Sequence, residues 1–247
     1  MSGAAEIHIR EILIARIAAM LDGCGHVAVG ASSPIPGAAA LLAQARSHGA
    51  MRVSVLGSTR HNFFTDGGRE LFDCAAQGRI DAFFLSGGQI DGAGNINLVG
   101  IGDPAQPKVR FPGSFGSAYL AFLVPKIILF REEHTPRTLV ERVDFISAPG
   151  TSGPDIYRPG GPRALVTGRA VFAFSPERAG FTLRSVHPGQ TPESVVAQTG
   201  FRFDMPDAVP HTPLPDADTL ALMRGDVARA VAETYPGFAA QLWDLAA

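Results

Sequence analysis

The sequence predicts an α/β protein: a mainly parallel sheet flanked by helices, with an antiparallel portion. Three patterns carry this expectation. Short β-branched or aromatic runs alternate with helical repeats through the first half of the chain, which is how a helix-covered parallel sheet reads. Around ALVTGRAVFAFS and FTLRSVHP the spacing becomes strand, turn, strand, the mark of a hairpin. The last stretch then returns to helix.

The elements follow in order. Ile9, Leu13, Ile17 and Met20 recur every three to four residues and share one helical face, and Gly23 and Gly25 supply the stop. HVAVG is a short strand, GASSPIPGA a tight loop and AAALLAQAR a helix. RVSVLG reads as a strand, RELFDCAAQG as a helix, DAFFLSGG as a buried strand and, after a glycine-rich connection, KIILFRE as another. The run APGTSGPDIYRPGGP, residues 148–162, holds too much Gly and Pro for regular structure and is expected to be a surface loop or flap. TPESVVAQTG opens with a Thr cap and a Pro at the first helical position, and DADTLALMRGDVARAVAETYP carries Leu and Ala at helical spacing. No internal repeat or second core is evident, so residues 1–247 are expected to form one domain.

Composition limits the functional classes. Of 247 residues, 46% are hydrophobic and 18% charged, enough for a substantial interior. The 21 basic and 23 acidic side chains leave a net charge of -2, with no basic excess to attract nucleic acid or an anionic membrane. The most apolar stretch, AYLAFLVPKIILF, is broken by Pro125 and Lys126 and is shorter than the roughly 20 residues that span a bilayer. The opening MSGAAEIHIREILIAR mixes charges among its apolar residues, unlike an export signal. Cys24 and Cys74 form no CxxC pair, so neither a disulfide framework nor a metal site is expected. Together these features point to a cytoplasmic protein.

The most specific segment is SGGQIDGAGNIN, which follows the buried strand DAFFL. In open parallel sheets ligands bind beyond the carboxyl ends of strands, and paired glycines let backbone N–H groups approach a substrate oxygen. Gly87, Gly88 and Gln89 are therefore candidates to hold an acyl group, with Asp91 and Asn95 beside them. The plainer reading is a tight turn, bent at Asp91, Gly92 and Gly94, in which Asn95 and Asn97 bond local backbone. A second loop, FPGSFGSA, offers donors at Ser114, Ser117 and the backbone; Gly113, Ser114, Phe115 and Gly116 read as an oxyanion or pantetheine cradle, or simply as a cap for the next helix. No GxGxxG or GxxxxGK[ST] nucleotide fingerprint occurs.

The stretch GGQIDGAGNINLVGIGDPAQPKVRFPGSFGSA resembles the region of glutaconate CoA-transferase B subunits that runs from a GG-Q-(I/V)-D-x-x-GN-(I/V)-N motif to a GSGG loop. VGASSPIPGA, VDFISAPG and HPGQTPESVVAQTGF resemble further elements of that family, in the same order. The resemblance covers nearly the whole chain and implies the B (beta) subunit of a class I CoA-transferase: a CoA-transferase-like α/β fold and an A-type (alpha) partner in a cytoplasmic hetero-oligomer. It also implies acyl-CoA and a carboxylic acid as substrates, coenzyme A among them and no tightly bound cofactor. In that family a B-subunit glutamate, in a V-E-S-G element, attacks the thioester and splits acyl exchange into easier covalent steps. The matching element here is Val55-Leu56-Gly57-Ser58, and leucine cannot attack a thioester. Glu70, the nearest glutamate, reads as a solvent-facing helix residue. Phe115 replaces a glycine of the family loop. The steroid ring-opening CoA hydrolases also lack the B-subunit glutamate and draw their catalytic glutamate from the A subunit, so hydrolysis is an alternative, as is a noncatalytic scaffold subunit.

Other residues carry less. His61 and Asp66 could form an acid/base pair but read more plainly as loop polar groups. Arg110 could meet a CoA phosphate or substrate carboxylate, against the simpler surface ion pair. His187 reads as a strand-end polar residue, and Phe63, Phe64, Phe83 and Phe84 as core or lid residues.

Overall fold

The computed structural model describes residues 6–245, so Met1–Ala5 of the N-terminal reading above lie outside it. In chain order the main elements are α1 (Ile9–Met20), β1 (His26–Val29), α2 (Pro34–Arg46), β2 (Arg52–Val55), α3 (Gly67–Ala76) and β3 (Ala82–Leu85). Four two-residue strands follow: β4 (Gln89–Ile90), β5 (Ile96–Asn97), β6 (Gly100–Ile101) and β7 (Val109–Arg110). Then come α4 (Ser117–Leu123), β8 (Lys126–Arg131), β9 (Pro162–Thr167), β10 (Ala170–Ser175), β11 (Gly180–Val186), α5 (Pro192–Ala197) and α6 (Ala217–Leu222). A π-helical turn, Met223–Val227, continues α6 into α7 (Ala228–Thr234), and α8 (Pro236–Trp243) ends the described chain. Contacts group the chain into two compact units, residues 1–65 with 213–247, and residues 66–212.

In the first unit β1 and β2 pair in parallel, Val27 opposite Val53 and Val29 opposite Val55, and all four residues of β1 are buried. Helix α1 lies against α2. The helix expected from Ala38 begins earlier, at Pro34. Its Pro34 and Pro36 sit in the first turn, where a missing N–H costs nothing and the fixed φ favours entry. Glu11 ties the two ends of the chain together. It is 1% exposed, receives 2.6 and 2.7 Å bonds from Arg224 Nε and Nη2, and also takes the Trp243 indole N–H and the His8 backbone N–H. Burial alone would raise its pKa, but these donors outweigh it and hold the carboxyl below its ordinary value.

The second unit holds the mixed part of the sheet. β3 runs parallel to β8, with Phe84 opposite Ile128, and β8 parallel to β9, with Leu129 opposite Leu165. β9, β10 and β11 are antiparallel, as the hairpin spacing predicts. Phe172, Phe174, Phe181 and Phe201 bury a connected aromatic core on that antiparallel part, at ring separations of 5.0 to 6.2 Å. His187, which follows β11, is fully buried. Its Nδ1 meets Thr212 Oγ1 and its Nε2 the Thr167 carbonyl, so it is interior framework. His134 bridges Thr167 Oγ1 and Thr199 Oγ1 at 2.7 and 2.9 Å. Cys24 and Cys74 are buried, and neither is in a disulfide among the described residues. Among the described residues no helix is long and apolar enough to cross a membrane, and no group of acidic, His and Cys side chains could hold a metal.

Candidate functional site

In the second unit, fully buried β3 delivers the chain to Ser86-Gly87-Gly88, and the SGGQIDGAGNIN loop proves to be a small hairpin, β4 against β5. Both glycines are demanded by packing. A Cβ on Gly87 would lie 2.6 Å from the Gln89 carbonyl oxygen and from Ile96 Cγ2. A Cβ on Gly88 would lie 2.1 Å from Phe111 Cζ. Phe111 opens the FPGSFGSA loop, so its ring on Gly88 brings together the two glycine loops singled out in the sequence. The Gly88 N–H is not free, because it donates to the Asn97 carbonyl.

The polar residues of the hairpin are mostly committed to it. Asp91, 4% exposed, accepts from the backbone N–H groups of Ala93 and Asn95 and from the Asn95 side-chain amide. Asn95 Oδ1 accepts from Gly150 N, pinning the Gly/Pro-rich segment 148–162 to the hairpin. Gln89, 5% exposed, points its Oε1 at two donors, Asn97 Nδ2 at 2.7 Å and Asp144 N at 3.0 Å. That orientation leaves its amide NH2 with no acceptor among the described residues and available for a ligand.

The second loop is open. Gly113, Phe115 and Gly116 all have positive φ, and at Phe115 the value is +34°, costly for a bulky side chain. Its ring is 74% exposed and leans on Phe72, which in turn meets Tyr119 edge-on. The backbone N–H groups of Gly113 through Gly116 have no acceptors among the described residues. Ser117 Oγ, next in the chain, is buried without a hydrogen-bond partner among the described residues. An orphaned hydroxyl of this kind costs about 1–3 kcal/mol.

In the first unit the turn after β2 carries Leu56, Gly57 and Ser58. No carboxylate belongs to that turn, but one serves it from α7. Glu233 accepts from Ser58 Oγ, Thr59 N and Thr59 Oγ1, at 2.6 to 2.7 Å, and from Thr234 Oγ1. Burial pushes its pKa up, but the hydroxyl and N–H donors prevail and hold it at about 2. Sequence reading missed this residue, since nothing local links position 233 to position 58.

The remaining candidates are placed as follows. Glu70 is half-buried and accepts from Asp66 N in the first turn of α3, a helix-entry role. Asp66 pairs with exposed Arg69. The His61 carbonyl accepts from Val55 N, and its own N–H bonds Ser58 Oγ. Arg110 is exposed on β7, without the ion pair expected of it among the described residues. Phe64, Phe83 and Phe84 are buried, while Phe63 is exposed beneath Arg52.

A parallel α/β core whose strand end feeds two glycine loops packed on one another, with unspent N–H donors in the second, defines the class of the protein. The chain belongs to the coenzyme A transferase family, whose model matches residues 3–198. It is 35% identical over 162 residues to the B subunit of the 3-oxoadipate CoA-transferase of Pseudomonas knackmussii, covering 63% of this chain and 62% of that one. It is 33% identical over 151 residues to the B subunit of the glutaconate CoA-transferase of Acidaminococcus fermentans, covering 58% and 56%. A match of 31% over 137 residues, covering 54% and 53%, is to the IpdB component of the cholesterol ring-cleaving hydrolase of Rhodococcus jostii. The matched stretches thus span between half and two thirds of these curated relatives. Among solved structures, the decarboxylase AibA/AibB superposes with a TM-score of 0.76 at 25% identity, covering 96% of this chain and 99% of that one. The resemblance to CoA-transferase B subunits and the fold class expected from the sequence are both borne out.

Proposed function

We propose that this chain is the B-type subunit of a two-subunit enzyme acting on an acyl-CoA thioester and a carboxylic acid, and that its catalytic carboxylate comes from an A-type partner. The observation that carries the second half is the state of this chain's own carboxylates. Position 56, which corresponds to the family glutamate in the resemblance, is leucine. Glu233, at the same turn, has both oxygens occupied by four donors, which also hold its pKa at about 2, so its lone pairs are committed to the turn rather than presented to a thioester. Glu70 is engaged at its helix end.

In this reading the Gln89 amide and the N–H groups of Gly113 to Gly116 hold the thioester oxygen as negative charge develops on it. Gly87 and Gly88 let Phe111 close over the motif, and Asp91 and Asn95 keep the hairpin rigid. Coenzyme A enters as substrate, with no tightly bound cofactor, and the complex works in the cytoplasm without nucleic acid or membrane.

A second reading is favoured by the match to a component of a ring-cleaving hydrolase and by the missing nucleophile: the same partner carboxylate activates water, and no acceptor acid is needed. Mass spectrometry of the copurified two-subunit complex, incubated with a panel of acyl-CoAs with and without free carboxylic acids, separates them. CoA exchange that requires the acid, with a glutamyl-CoA adduct on the partner, is the expected result. Addition of water without an acceptor supports the hydrolase, and an adduct on this chain rejects the partner-carboxylate assignment. Binding without product across the panel leaves a scaffold subunit.

A further inference from the structure

A cleft of about 290 Å³ in the second unit lies where the segment 148–162 meets the β10–β11 turn. Its polar lining is Thr151, Ser152, Arg158, Arg163 and Glu177. Arg158 is half-buried, and every partner it has is neutral. Its Nε donates to the Gly160 carbonyl, and Nη2 donates to the carbonyls of Ala121 and Pro149. Nη1 reaches only Ser152 Oγ, at 3.4 Å. A guanidinium has five N–H donors, so one at Nη1 has no acceptor among the described residues. No described carboxylate lies within ion-pair distance of it.

Burial lowers the pKa of Arg158, yet an arginine stays protonated at any ordinary pH. Arg163, more exposed, spends only its Nε, on the Pro125 carbonyl. The Thr151 hydroxyl has no hydrogen-bond partner among the described residues. The one acid of the lining, Glu177, is exposed and accepts from Ser175 Oγ. Two guanidinium groups against one carboxylate leave the cleft positive, with N–H and O–H donors unspent.

We propose that this cleft is an anion site for a terminal phosphate group. A phosphate monoester presents three strong acceptor oxygens and close to two negative charges near neutral pH, which suits two guanidinium forks and a hydroxyl better than the two oxygens of a carboxylate do. The volume admits a phosphate and the sugar that carries it. Asn95 ties the cleft to the glycine hairpin through Gly150 N, so an anion seated here would be registered to that motif. Two sources share this chemistry. One is the phosphorylated nucleotide end of a CoA thioester, which rests on the function proposed above; the other is free inorganic phosphate.

Isothermal titration of the full chain with adenosine 3′,5′-bisphosphate, inorganic phosphate, adenosine and acetate distinguishes them. The bisphosphate is expected to bind, adenosine and acetate not to, and Arg163→Gln to weaken binding about tenfold or more, the scale of one charge-assisted hydrogen bond. Arg163→Lys should recover part of the loss. Arg158 also staples the 148–162 segment, so Arg163, exposed and joined to one carbonyl, carries the decisive comparison. Inorganic phosphate binding as tightly as the bisphosphate identifies free phosphate as the ligand. Equal binding by wild type and Arg163→Gln, or no binding of either phosphate, overturns the site. Turnover of acyl-CoA by the two-subunit complex is read in parallel. Turnover with an unchanged Arg163→Gln titration rejects the site alone, whereas a sensitive titration without turnover leaves the site standing and rejects the function.

Discussion

At the scale of single residues, the paired glycines of SGGQ are explained by what lies against them. Gly88 is small because the Phe111 ring covers it, and Gly87 because a backbone carbonyl and Ile96 stand in the way. Gly88→Ala is therefore expected to destabilise the chain by about 1–3 kcal/mol through overpacking. Removing the ring with Phe111→Ala should recover most of that cost, and a double-mutant cycle in urea measures the coupling. Gly87→Ala has no such rescue, since one of its two obstacles, the Gln89 carbonyl, is main chain. The second residue-scale prediction concerns Glu233. Glu233→Gln keeps the shape but weakens charge-assisted bonds to Ser58 and Thr59; with the group half exposed, a loss of about 1 kcal/mol is expected by denaturant unfolding. If the proposed role of the partner is right, the same variant lowers turnover by disturbing the turn and still traps an adduct on the partner.

At the scale of elements, α1 and the C-terminal helices are held together by one buried acid. Glu11 is nearly inaccessible, Arg224 is 31% exposed in its side chain, and the pair is bidentate. Breaking it with Glu11→Ala leaves a partly buried guanidinium unpaired, and a loss of about 3 kcal/mol is expected in the same unfolding assay. Reading the sequence element by element identified α1, β1, β2, α3, β3, β8 and the β9–β10–β11 meander, because each is a local periodicity bounded by Gly or Pro. It mistook the start of α2, where two prolines suggested a loop but occupy a first turn. It also missed β4 to β7, each two residues long. Such strands have no periodicity to detect; partners far along the chain, such as Thr138 and Ala148 beside the hairpin, set them.

At the scale of the whole molecule, buried polar groups shape the response to acid. His134 is enclosed by Thr167, Thr199 and the aromatic core. Burial first, then the nearby positive charge of Arg169, lowers its pKa to about 4 from an ordinary 6.5. The unfolded chain therefore binds more protons between these values. The contribution of His134 to stability is complete above about pH 6.5, is lost as pH falls through 6.5 towards 4, and levels off below. Glu133 and Glu233, each held at about 2 from 4.5, act in a lower window: their contribution is present above 4.5 and lost as pH falls towards 2. Urea unfolding across pH 2–8 should therefore show two steps of loss, and His134→Gln should flatten the upper one while sparing the lower.

By itself the sequence determined the class of the protein. Periodicity and turn residues are local, so they marked most helices and strands, and four motifs in order carried the family. It also located the two glycine loops, and its element Val55-Leu56-Gly57-Ser58 is the one that resembles the family's V-E-S-G. Only the tertiary structure decided what those residues do. Asp91 and Asn95 became hairpin braces, Glu233 was drawn to the turn at Ser58 from 175 residues away, and Arg158 was left with neutral partners in a positive cleft. Hydrogen bonding and charge depend on distance in space, and chain order says little about that once the partners lie far apart in sequence.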